Sequence, residues 1–172
     1  MPNETASERI SNPRVRRALV TDAPSLARLN VAVQTLHVTL YPDRFQASPE
    51  AEKVEAYLSK IWQLTENVFG ICETAQGAIG YIWVEEQMRP ASPFTNAFTR
   101  LYVHHLVVEH QAREQGVATA LLNWAYQHAR ERGITEVALD HWEANSGAHR
   151  FFERRGFEVE RVIMVRRVPR KT

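Results

Sequence analysis

Apolar positions recur at two periods along this chain. Leu26, Leu29, Val33, Leu36 and Leu40 fall at spacings of three and four, one face of a helix. Asp22 can cap that helix, with Pro24 in its first turn, where a missing N–H costs nothing. Ala118, Leu121, Leu122, Ala125 and Ala129 make a second helical stripe, with Asn123, Gln127, Arg130 and Glu131 off it and Gly133 placed for a left-handed cap. Shorter apolar runs predict strands at Arg14 to Val20, residues 67–74 and 78–86, Arg100 to Glu109, residues 134–140 and, last, about 159–168. Gln76-Gly77 reads as a hairpin, residues 89–98 with two prolines as a loop, and helices are expected over about 49–63 and 146–155. Strands alternating with helices argue an α/β fold on a mixed sheet.

One junction carries chemistry. The strand ending at Leu106-Val107-Val108 runs into Glu109-His110-Gln111-Ala112-Arg113-Glu114-Gln115-Gly116-Val117-Ala118, and a helix follows at once. A tight turn at a helix N-terminus gathers unpaired amides at one point and suits an anion such as a phosphate. Gly116 has no Cβ to keep a ligand off the backbone. The bland alternative is a strand–turn–helix crossover with no ligand. Neither a P-loop nor a dinucleotide Gly-x-Gly-x-x-Gly motif is present.

Composition narrows the field. The 172 residues suffice for one domain with a core, expected over 13–172 behind a polar tail at 1–12. Twenty-one basic and twenty acidic residues leave a formal charge of +1, which gives no electrostatic case for nucleic acid or a membrane surface. No apolar run approaches a membrane span, and the start lacks the pattern of a signal peptide. A single cysteine, Cys72, excludes an intrachain disulfide and fits a cytoplasmic setting. Among strand neighbours of its kind it reads as core rather than as a nucleophile.

A second segment, Asn145-Ser-Gly-Ala148-His-Arg-Phe151-Phe152-Glu-Arg-Arg-Gly156-Phe157, follows the strand Glu136 to Asp140. Together the two segments resemble the Gcn5-related N-acetyltransferases. That family carries Arg/Gln-x-x-Gly-x-Gly/Ala at the pyrophosphate of acetyl-CoA, matched by Arg113, Gly116 and Ala118, and Asn-x-x-Ala-x-x-Phe-Tyr ending in Gly-Phe, matched by Asn145, Ala148, Phe151, Gly156 and Phe157. The resemblance covers about residues 14–168. It implies a single α/β domain with a twisted mixed sheet of about six to seven strands and about four helices. It also implies an enzyme that moves an acetyl group from acetyl-CoA to an amine in a ternary complex, without a metal, and it admits a homodimer. By the resemblance, Arg113, Glu114, Gln115, Gly116, Val117, Ala118 and Thr119 form the phosphate cradle, and Leu106, Val107 and Val108 run along the pantetheine. The Val108 amide is the oxyanion donor, and Asn145 and Phe152 lie toward the pantetheine. Asn145 also reads as a helix N-cap.

Amine transfer needs a base, because freeing the lone pair of an amine of pKa near 10.4 at pH 7 costs roughly 4–5 kcal/mol. His104 and His105 are the candidates, since imidazole titrates near 6.5. On a regular strand His104 shares a face with Leu106 and Val108 while His105 faces the other way; a bulge would change that. Both can equally be polar strand residues making local hydrogen bonds. Two positions depart from the family. Phe152 stands where many relatives have the tyrosine that protonates the leaving thiolate, and Glu114 stands where glycine is usual. Phe152 keeps open a module that binds CoA without turnover; transfer of a longer acyl chain is a further alternative. The acceptor amine is not legible; His37, Tyr41 and Trp142 lie in regions from which relatives build its pocket, yet each reads better as core packing. Arg150, Arg154 and Arg155 could meet the 3′-phosphate but read better as a solvated helix face.

Overall fold

The computed structural model describes residues 13–47 and 49–168, so the polar tail 1–12 lies outside it. The described chain falls into two units that meet in sequence at Asp140 and His141.

The first unit is a mixed sheet with helices on both faces. Its strands are β1 (Arg14–Arg17), β2 (Asn67–Thr74), β3 (Gly77–Arg89), β4 (Phe98–Val108) and β5 (Val137–Leu139), in the order β1-β2-β3-β4-β5. β1 to β4 pair antiparallel and β5 joins β4 in parallel. The helices are α1 (Ala23–Leu40), α2 (Ala51–Trp62) and α3 (Val117–Glu131). The expected α/β fold is therefore formed. Among the described residues the sheet has five strands rather than six to seven.

Each face buries its own core. Leu26 and Leu29 of α1 and Leu58 of α2 pack on Phe69, Ile71, Tyr81, Trp83 and Val107. Val117, Leu121, Ala125 and Ala129 of α3 pack on Val68, Cys72, Ile82, Val84, Leu101 and Val103. Leu121, Leu122, Ala125 and Ala129 of the α3 stripe read from the sequence are buried, with Val117 buried where Ala118 was expected and Ala118 only half-buried, and Gly133 ends the helix at φ 67°. Helix α3 sits close to the sheet because β3 has Gly80 beneath its first turn. A Cβ there would lie 2.7 Å from the Val107 carbonyl and 3.2 Å from Val117 and Leu121.

Some boundaries differ from expectation. β1 stops at Arg17, and Val20–Asp22 form a 3-10 turn. Asp22 precedes α1 but does not cap it through its side chain: the carboxylate accepts the Leu19 N–H at 2.8 Å and pairs with Arg16 at 2.7 Å. β5 is three residues long because only Leu101, Tyr102 and Val103 of β4 lie in register with it.

The second unit holds α4 (Ser146–Glu153), followed by Gly156 at φ 82°. The strand expected near 159–168 is not formed, and Val159, Val162, Ile163, Met164, Val165 and Val168 are exposed. A strand needs a partner ladder as well as an apolar run, and the described residues supply none.

Candidate active site

The cradle is built from backbone. Glu114 and Gly116 both lie in the left-handed region, at φ 63° and 82°, and α3 begins at Val117. Two such residues in one short turn redirect the chain into α3, whose first-turn amides have no carbonyl acceptor within the helix. A Cβ at Gly116 would meet nothing within 4 Å, so the space above the turn is open to a ligand. Arg113 is exposed and holds the turn to the strand end, its Nε donating to the Val108 carbonyl at 3.4 Å. Gln115 donates to the Gln111 carbonyl at 2.9 Å. The Glu114 side chain is exposed, so the carboxylate can stand away from a bound phosphate. Its φ also gives a physical reason for glycine in relatives, since a side chain in that region costs about 1–2 kcal/mol.

The strand before the cradle has one free edge. β5 covers β4 only as far as Val103, and no strand of the described residues continues that edge. The Glu109 N–H donates to the Ile79 carbonyl of β3 at 2.8 Å. Amides alternate between the two edges of a strand, so the Val108 N–H points away from β3, to the uncovered side. It is placed to bond an oxygen that arrives along that edge, together with Leu106 two residues before it.

A bulge sets the histidines. Trp83 pairs with His105 but the next residue, Val84, pairs with Val103, so His104 is the extra residue in β4. Leu101, Val103, Leu106 and Val108 all pack toward α3, and Val107 packs toward α1 and α2. Between Val103 and Leu106, both histidines therefore fall on the α1/α2 face. The Trp83 ring meets both, stacked on His104 at 4.3 Å and edge-on to His105 at 5.0 Å. The regular-strand reading, with His104 beside Leu106 and Val108, is thus corrected.

The two rings are held by opposite ends. His104 Nε2 lies 2.8 Å from Glu85 Oε2, which also accepts from Gln87 at 2.7 Å; Gln87 in turn accepts from Arg100 at 2.9 Å. Burial pushes the Glu85 carboxyl up, but the bonds from Gln87 and His104 outweigh it and hold the group below its usual value. An ionised carboxylate takes a proton on Nε2, which leaves the lone pair of His104 on Nδ1. His105 is more buried. Its Nδ1 lies 2.8 Å from the Tyr81 hydroxyl, and that oxygen accepts from Asn30 Nδ2 at 3.0 Å. Burial, with His104 and His37 nearby, pushes His105 down to about 4. His105 is therefore neutral at pH 7 and a poor base. Glu85, Tyr81 and Asn30 were missed in the sequence, because only the strand register brings them to the histidines.

His37 acts electrostatically on His105; its ring lies 4.6 Å from that of Phe45, and burial lowers its pKa. Glu85 also lines an open depression of about 320 Å3 with Glu66, Glu86, Gln87, Met88 and Arg89. Cys72 is fully buried, and burial with nearby Glu73 pushes its thiol up to about 11.

In the second unit Asn145 caps α4, its Oδ1 accepting the Ala148 N–H at 3.1 Å. Phe152 packs edge-on against Phe157 at 5.5 Å and face-on to His141 at 6.4 Å. Arg150, Arg154 and Arg155 are exposed. Among the described residues no group of three or more His, Cys, Asp or Glu is set to hold a metal, and no helix is long and apolar enough to cross a membrane.

Comparison with known proteins gives a coherent picture. A sequence profile of the Acetyltransferase (GNAT) family matches residues 31–157. An uncharacterized N-acetyltransferase of Methanocaldococcus jannaschii is 28% identical over 123 residues, which is 65% of this chain and 50% of that protein. The chain spans about half the length of the curated relatives it matches. Among solved structures, a tetramutant of the BH1408 protein from Bacillus halodurans superposes with TM-score 0.81 at 19% identity, covering 90% of this chain and 99% of that one. AAC(6')-Iy, in complex with the bisubstrate analog CoA-S-monomethyl-acetylneamine, superposes with TM-score 0.69 at 21% identity, covering 92% and 100%.

Proposed function

The chain belongs to the GNAT acetyltransferase family, and on that premise we propose that it passes an acetyl group from acetyl-CoA directly to an amine, with His104 as the base. Acetyl-CoA is the acyl donor of the family, and the cradle fits it: a helix N-terminus beginning at Val117, open space at Gly116 and an exposed arginine at Arg113. The observation that carries the reading is the bulge. It turns His104 onto the α1/α2 face with Nε2 bonded to Glu85 and Nδ1 left as the acceptor.

The steps follow from those positions. His104 Nδ1 takes a proton from the incoming ammonium, directly or through one water. Glu85 holds the ring and stabilises the imidazolium that results, as a positioning residue. The freed amine attacks the thioester carbon, and the Val108 amide bonds the oxyanion that forms. The carbonyl re-forms as the C–S bond breaks with its electron pair on sulfur, and the second proton of the attacking nitrogen passes through water to the departing thiolate. A thiolate with a reference pKa near 8.5 departs more readily than an alkoxide and makes a modest demand on an acid. Cys72 supports direct transfer rather than an acyl-enzyme, since a buried thiol pushed up to about 11 is neither ionised nor reachable. The acceptor is a cationic amine, in keeping with the Glu85 carboxylate bonded to His104.

A second reading, a module that binds CoA without turnover, is favoured by Phe152, whose ring has no proton to give. Thiol release from acetyl-CoA, screened across polyamines, aminoglycosides, amino acids and peptide N-termini, separates the two. Release with any amine supports the enzyme; a rise in Tm with acetyl-CoA but no release with any of them supports the module.

A further inference from the structure

His105 is the less basic of the two histidines, yet it is the more tightly built in. Asn30 Nδ2 can only donate, so its bond at 3.0 Å uses the Tyr81 oxygen as an acceptor. The one other partner of that hydroxyl is His105 Nδ1, at 2.8 Å. The phenol hydrogen must therefore go to Nδ1, which fixes the lone pair there and the ring proton on Nε2. Burial keeps the ring neutral, which agrees with this assignment. Nε2 makes no hydrogen bond in the protein. Among the described residues no buried side-chain nitrogen or oxygen lacks a partner. Nε2 therefore meets solvent, as an N–H donor of fixed tautomer.

The ring that carries the donor neighbours the ring of the base. Both rings touch Trp83 on the α1/α2 face, whereas the cradle leads into α3 on the other face. His104 carries a lone pair and His105 an N–H on rings that adjoin at the bulge and share Trp83. We propose that His105 Nε2–H is a specificity-determining donor for the acceptor substrate, and that the acceptor is an amine carrying an oxygen within a few bonds of its nitrogen, such as an amino alcohol, amino amide or amino sugar. This rests on acetyl transfer as the activity. A neutral imidazole N–H bonds an oxygen lone pair. It repels an ammonium group and leaves nothing for an alkyl chain, so an acceptor without the oxygen strands a desolvated donor.

The test has two arms. Nitrogen-15 correlation spectra at pH 7, assigned with His105→Gln, report the tautomer without any turnover. A protonated Nε2 and bare Nδ1 are expected; an Nδ1–H tautomer or an imidazolium overturns the proposal. In the second arm, ethanolamine is paired with propylamine, glycinamide with isobutylamine and glucosamine with cyclohexylamine, with kcat/KM expressed per free amine. At least one oxygen-bearing member should exceed its partner tenfold or more. His105→Ala should remove that preference and Tyr81→Phe should shrink it at least threefold. His105→Gln, whose amide can still donate near the Nε2 position, should retain most of it. Turnover of the pairs at equal rates overturns the proposal while acetyl transfer stands. No turnover of these six amines, with release in the wider screen only from amines lacking a nearby oxygen, overturns the substrate assignment; no release with any amine of that screen overturns acetyl transfer as well.

Discussion

The turn before α3 and the bulge in β4 lie about ten residues apart and are made of different material. The turn is backbone: two left-handed residues, a helix N-terminus and open space at Gly116. The bulge is side chain: two imidazoles on one face, each fixed by a different end, through Glu85 at 2.8 Å and through Tyr81 at 2.8 Å. A backbone site recognises what every acyl-CoA shares and depends on conformation. A side-chain site depends on single atoms, and small changes there alter chemistry without altering the fold. The two parts should therefore fail in different ways.

The largest separation is expected at His104. His104→Ala should lower kcat/KM by about 10²–10⁴ and leave the acetyl-CoA-induced rise in Tm unchanged. The residual rate should climb with pH as free amine becomes abundant; a deficit constant with pH would mark a structural role. At His105 the sign is set by its depressed pKa. The folded value is about 4 against 6.5 unfolded, so its share of stability is full above about pH 6.5 and is lost as pH falls toward 4. That share is roughly 3 kcal/mol by linkage. In thermal melts between pH 7 and 4, His105→Gln should lose correspondingly less stability than the unsubstituted protein, and an equal loss would show that the ring is not held neutral.

The turn should respond in binding instead. Gly116→Val forces a β-branched residue to φ 82° and puts a side chain into the open space. At acetyl-CoA near 100 times its original Kd, a stabilisation of about 2.7 kcal/mol should disappear, with the pH dependence of any remaining turnover unchanged. The smallest effect is expected at Glu114→Gly. Relief of the left-handed strain is offset by glycine's entropy, for a net gain under about 1 kcal/mol in chemical unfolding, together with tighter acetyl-CoA binding from the loss of a nearby carboxylate. Weaker binding would show that the Glu114 side chain takes part in the cradle.

The same contrast explains what could be read in advance. The turn was legible because its parts are local: an apolar run, Arg113, Gly116 and a stripe of three-and-four spacing each speak for their own segment. The bulge was not, because the extra residue exists only relative to the register with β3, and register is set across about twenty residues of chain. Tyr81, Glu85 and Asn30 read as ordinary strand and helix residues until that pairing is known. The run at 159–168 taught the opposite lesson, since a good strand pattern made no strand where the described residues offer no ladder.

Direct transfer at a cradle-and-histidine site is tested most directly by initial velocities of thiol release, with acetyl-CoA and one turned-over amine varied together. The structure predicts intersecting reciprocal plots, because both substrates must be present before the base acts and Cys72 is buried away from any acyl group. Parallel plots, with an acetylated enzyme trapped when the amine is withheld, would contradict it.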